Sequence, residues 1–110
     1  MENINLEATL HFLKMSEARK EAIKKIGIGN VVNQFIVDKG HENGKEIHIV
    51  TSTGLIIIRN YYTRKYITIL IARPQQIKRY YENCNKPLTG EVLKIVRLAE
   101  EHTKQGLNQL

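Results

Sequence analysis

Glu46-Ile47-His48-Ile49-Val50-Thr51-Ser52-Thr53-Gly54-Leu55-Ile56-Ile57-Ile58-Arg59 is the stretch that decides the fold. From Glu46 to Thr51 the pattern alternates and is rich in β-branched side chains, which suits a strand with two unlike faces. Ser52-Thr53-Gly54 supplies turn chemistry, and Leu55 to Arg59 reads as a second strand. A turn this short joins antiparallel neighbours, because a parallel crossover needs many more residues. Leu55-Ile56-Ile57-Ile58 does not alternate, so the second strand is expected in the middle of the sheet with cover on both faces. A third strand, Tyr66 to Ala72, follows the polar turn Asn60 to Lys65.

Upstream, Asp38 to Lys45 carries Gly40, Asn43 and Gly44 among charged residues and reads as a loop. The apolar group Val31, Val32, Phe35, Ile36 and Val37 admits either a helical turn or a first strand, which leaves residues 28–40 open. Ser16 is placed to cap an amphipathic helix running to Ile26, with Ala18, Ala22, Ile23 and Ile26 on one face and Gly27 and Gly29 ending it. Before it, Ile4 to Leu13 has spacings that favour another helix.

Downstream, Pro74 suits the first turn of a helix whose apolar face is Ile77, Tyr80, Tyr81 and Cys84, the cysteine expected as a small buried side chain. Asn83 to Pro87 breaks the chain. Thr89 then caps a last helix with Leu88 and Leu93 as a hydrophobic staple, Val92, Ile95, Val96 and Ala99 as its buried stripe, and Gly106 as its stop. The expectation is one α+β domain over 1–110: a three- or four-stranded antiparallel meander with one or two N-terminal helices and two C-terminal helices.

Composition narrows the function classes. The longest apolar stretches fall far short of the ~20 residues a membrane helix needs, and Met1 to Asn5 has no basic region followed by an apolar core, so neither a membrane span nor a secretory signal is expected. A single cysteine excludes an internal disulfide and fits a reducing, cytoplasmic setting. Phosphate-binding glycine loops, dinucleotide fingerprints and zinc patterns are absent, and His11, His41, His48 and His102 keep no metal spacing, so no metal or cofactor is expected.

The formal net charge is +6, and the excess is concentrated. Between residues 59 and 81 lie Arg59, Arg64, Lys65, Arg73, Lys78 and Arg79, with no acid among them, together with Tyr61, Tyr62, Tyr66, Tyr80 and Tyr81. Cations attract a phosphate chain and aromatic faces stack unpaired bases, so this segment reads as a nucleic-acid-binding surface for RNA or single-stranded DNA. Phosphate contacts are assigned to Arg59, Arg64, Lys65, Arg73, Lys78 and Arg79, with Tyr61 and Tyr62 as stacking rings. RNA and DNA are not distinguished at this level. The same cations also suit an acidic protein partner, and the stripe of the last helix suits pairing of two copies as a homodimer.

Metal-free RNA cleavage needs a base, a group that stabilises the crowded phosphate, and an acid. The order of elements, an early helix with His11 and Arg19, a glycine-bounded loop, and a meander ending in Tyr-Ile-Thr-Ile-Leu-Ile-Ala (Tyr66 to Ala72), resembles the small ribonuclease-toxin superfamily of barnase-like and RelE-like domains over residues 8–72. The resemblance implies one or two N-terminal helices packed on an antiparallel sheet whose face cleaves RNA without metal, with His11, His48, Thr68 and Arg73 as the matching positions. The chain departs from that pattern by continuing into two further helices. In size and organisation it also looks like small phage- or prophage-encoded proteins.

Overall fold

Leu55, Ile56, Ile57 and Ile58 are all buried in the computed structural model, which describes residues 4–110. They lie on β3 (Leu55–Asn60), a central strand of a four-stranded antiparallel meander with β1 (Val31–Asp38), β2 (Lys45–Thr51) and β4 (Tyr66–Ile71) in the order β1-β2-β3-β4. Successive side chains on a strand point to opposite faces, so an apolar β3 requires two covering layers. The chain supplies them from its two ends.

On one face Leu55 and Ile57, with Ile47, Ile49, Ile69 and Ile71, pack against Leu10, Leu13, Ala22 and Ile23 of the N-terminal segment. That layer is α1 (Leu6–Phe12) and α2 (Glu17–Ile26). On the other face Ile56 and Ile58, with Phe35 and Val50, meet α3 (Pro74–Asn83) and α4 (Gly90–Lys104). Ile77 and Tyr81 project from α3, and Val92, Ile95, Val96 and Ala99 form the stripe of α4. The fold is therefore α+β in class and three layers deep, with the sheet between two helix pairs.

Local chemistry sets the element ends. Asn5, Ser16 and Thr89 each accept a first-turn N–H, from Ala8, Arg19 and Val92 respectively. Pro74 opens α3, and Gly106 takes the left-handed conformation just beyond α4. A short 3-10 turn over Leu107–Gln109 then returns the chain towards β4.

The β2–β3 turn ties both layers to the sheet. Thr53 Oγ1 donates to the Gly27 carbonyl, Ser52 Oγ accepts from Asn30 N–H at 2.9 Å, and His102 Nε2 on α4 donates to the Thr53 carbonyl at 2.9 Å. Gly29 sits so close to this turn that a Cβ there would lie 2.3 Å from Ser52 Oγ, and its φ is +63°. Only glycine fits that approach.

Residues 28–40, left open by the sequence, contain β1. A short apolar run reads the same way in a buried helix and in a strand, and pairing with β2 from Val31↔Thr51 to Asp38↔Lys45 decides it. Cys84 corrects an expectation: it lies at the C-cap of α3 and is exposed, because the helix ends before the chain reaches the core. Leu93, expected in a staple with Leu88, is 40% exposed, while Leu88 packs on the α3–α4 cluster. Among the described residues no helix is long and apolar enough to cross a membrane. The leader reading at Met1–Asn3 falls outside the described residues.

The two-sided core makes a direct prediction. Ile57→Ala should cost about 2–5 kcal/mol by leaving a cavity between layers, whereas Ile36→Ala on β1, where the side chain is 62% exposed, should change stability by less than about 0.5 kcal/mol. Urea unfolding of both variants against the parent measures the difference.

Candidate nucleic-acid interface

β2 carries His48 on the face that meets α3, directly opposite Phe35 on β1 and Ile58 on β3. The ring is buried, with 6% of its surface exposed. A buried imidazole needs partners for both nitrogens, and both are present. Nε2 lies 2.9 Å from Glu46 Oε1, and Nδ1 lies 2.5 Å from the Tyr80 hydroxyl. Glu46 is two residues before His48 and so shares its face of β2.

Tyr80 reaches the sheet from α3. Its ring stacks on Phe35 at 5.3 Å between centroids, and Gln76, one helical turn earlier, donates to its hydroxyl at 3.4 Å. Burial raises the Tyr80 phenol above its ordinary value of 10.0, the Gln76 hydrogen bond partly offsets this, and the Glu46 carboxylate raises it further. The hydroxyl is therefore protonated at neutral pH and shares a hydrogen bond with His48 Nδ1. The Glu46 carboxylate only accepts, so Nε2 carries a proton and donates to it. Lys39, across the β1–β2 connection, sits 3.8 Å from the same Glu46 oxygen.

This chain lies beside a cleft of about 530 Å³ between α3 and the sheet. His48 and Tyr80 line it together with Lys39, Arg73, Gln76 and Arg79, and among the described residues no acidic side chain does. Lys39 from the β1–β2 connection and Arg73 and Arg79 from α3 thus converge on one opening. Arg73 reaches it as the N-cap residue of α3, and Arg79 is exposed on the helix beside Tyr80. Lys78, on the same helix, is half-buried and does not line the cleft.

The remaining expected positions are divided among other places. Thr68 is half-buried on β4, opposite Ile58, so it shares the face of His48 but stands two strands away, about 10 Å by strand spacing. His11 is on α1, on the other side of the sheet, exposed and edge-on to Phe12 at 5.1 Å. The structure does not bring it together with His48.

Arg59 is buried and turned to the α1–α2 side of β3, opposite Ile47. A bulge at Ile67 sets Tyr66 opposite Arg59, and the guanidinium lies 4.8 Å from the Tyr66 ring while Nε donates to the Arg64 carbonyl at 2.9 Å. Arg59 therefore holds the β3–β4 loop. In that loop Asn60 Oδ1 accepts from the N–H groups of Tyr62 and Thr63, and Arg64 takes φ +64°. Tyr61 is half-buried beneath Lys45 and Arg64, at 5.7 and 5.6 Å from its centroid. Tyr62, 52% exposed, is the loop ring open to a stacking base, with Arg64 and Lys65 exposed beside it.

Among the described residues no group of three or more His, Cys, Asp and Glu side chains is placed to hold a metal ion. Sequence reasoning missed Glu46, Tyr80, Gln76 and Lys39 as members of one site. Glu46 was within reach from strand period, and Gln76 with Tyr80 from helix period; the meeting of Tyr80 with His48 depends on where α3 crosses the sheet.

Tyr80→Phe should lower stability by roughly 1 kcal/mol, since His48 Nδ1 and the Gln76 amide lose a shared partner. The raised phenol gives a pH signature. A group that binds its proton more tightly when folded stabilises the fold fully below the unfolded value and loses that contribution as pH rises through the folded one. The stability gap between parent and Tyr80→Phe should therefore narrow above pH 10, and absorbance titration should show one late-ionising phenol fewer in the variant, in which Tyr81, also raised by burial, remains. A phenol that ionises in the ordinary range would contradict the hydrogen-bonded chain. Comparison of the chain with protein-family models, with curated proteins and with solved structures gives no match.

Proposed function

We propose that this protein is a nucleic-acid-binding module that holds a single strand, RNA or single-stranded DNA, in the cleft between α3 and the sheet. The observation that carries this reading is the convergence of Lys39, Arg73 and Arg79 on one cleft without an acidic lining residue among those described. Phosphates set against these cations release condensed counterions, which gives affinity without sequence preference. Tyr62, with Arg64 and Lys65, forms a second contact on the β3–β4 loop, where an exposed ring offers a face for a base.

A second reading, metal-independent RNA cleavage at the same cleft, is favoured by the Glu46–His48–Tyr80 chain. A hydroxyl held by an imidazole, which a carboxylate orients in turn, is an arrangement able to take and return a proton. Arg73 and Arg79 would face the charge that develops on a phosphate under attack.

One experiment separates these readings. Labelled single-stranded RNA and DNA are incubated with the protein at two salt concentrations, with and without chelator, and mobility and strand length are read from the same samples. Binding that weakens steeply with salt, leaves strands intact and falls in Arg73→Gln and Arg79→Gln is the expected result. RNA scission that survives chelator and is lost in His48→Ala would put the nuclease reading first. Absence of both binding and scission at low salt would contradict the two readings together.

A further inference from the structure

Arg73 serves two openings. Besides the cleft it lines a smaller notch of about 120 Å³ at the β4 edge, formed by Arg19 of α2, Leu70 and Ile71 of β4, Gln76 of α3, and Asn108 of the C-terminal 3-10 turn. The volume corresponds to about four water molecules at ~30 Å³ each, enough for a phosphate group and too small for a base as well. Among the described residues no acidic side chain lines it.

Three independent features give the notch positive character. Among the described residues neither Arg19 nor Arg73 has an ion-pair partner. Arg19 lies in the first turn of α2, where Ser16 accepts its N–H, so its guanidinium sits at the positive end of that helix dipole, the end where a cation is disfavoured. α3 begins at the notch with no side chain capping its first turn and no acid within it. Two guanidinium groups and the uncapped first turn of α3 thus meet at the notch, and a bound anion would offset that charge.

Resting on the nucleic-acid reading of the cleft, we propose that this notch is a second phosphate subsite for the same strand. Arg73 and Gln76 line both openings, so a chain leaving the cleft passes over them and sets its next phosphate between Arg19 and Arg73. Arg19 becomes a binding residue although it lies about half the chain away in sequence from the cleft arginines. Gln76 and Asn108 supply amide groups beside the guanidinium pair.

The test has two arms. In the first, inorganic phosphate is titrated into the isotope-labelled parent protein and the side-chain N–H signals of Arg19, Gln76 and Asn108 are followed. Saturable shifts at these positions, absent in Arg19→Gln, support the subsite; no shift at these positions overturns it, whether or not RNA binds. In the second, the salt dependence of single-stranded RNA binding is measured for the parent, Arg19→Gln and Lys25→Gln, the last an exposed cation of α2 outside the notch. The slope of log affinity against log salt should shrink by about 0.7 in Arg19→Gln, as for one lost phosphate contact, and stay unchanged in Lys25→Gln. Equal slopes in all three would mean that the strand does not enter the notch and would overturn the proposal. If phosphate binds in the first arm but RNA fails to bind the parent, the nucleic-acid reading fails while the anion site stands.

Discussion

A strand that is apolar on both sides cannot lie at a surface, and Leu55 to Ile58 imposes that constraint on the whole chain. Pairing β3 between β2 and β4 buries its edges, but its faces require two separate layers. The helices made before the meander cover one face and those made after it cover the other. α3 has ten residues and is about 15 Å long; through Tyr80 and Tyr81 it covers Phe35 and His48, and the next row, Val37–Glu46–Asn60, is left half-buried. The cleft is the space left by this incomplete cover.

His48 stands at the boundary between the covered and uncovered parts, which explains its hydrogen bonding. A buried imidazole without partners would cost free energy at each nitrogen. Here the carboxylate arrives on the same strand and the phenol arrives on the covering helix. The two hydrogen bonds that make burial of the histidine tolerable also fix a hydroxyl beside a cationic opening. Structural need and chemical capability are served by one set of contacts, and the pH behaviour of Tyr80 reports on both.

Much of the fold was legible because its signals are local. Alternation in Ile47 to Val50, the unbroken run in β3, Ser16 and Thr89 as caps, Pro74 at a helix start and Gly106 at a stop each act within a few residues. The strand at Val31 to Val37 was not legible, since its identity depends on pairing with β2. The candidate site was legible only in part. Charge and tyrosine content marked residues 59–81, but facing direction divided that segment: Arg59 turned inward to hold a loop, Tyr61 was covered by cations, and Arg73 and Arg79 joined His48 from another element. Arg19 and Lys39 entered the picture only through tertiary position.

The central claim is that the α3 side of the sheet, and not the β3–β4 loop by itself, is the nucleic-acid surface. Ultraviolet cross-linking of the protein to single-stranded RNA, followed by peptide mass spectrometry, tests it with the tyrosines as built-in reporters. The account predicts adducts on the α3 peptide that contains Tyr80, reduced by high salt and by Arg79→Gln. Adducts confined to the peptide with Tyr61 and Tyr62, or none at low salt, would contradict it.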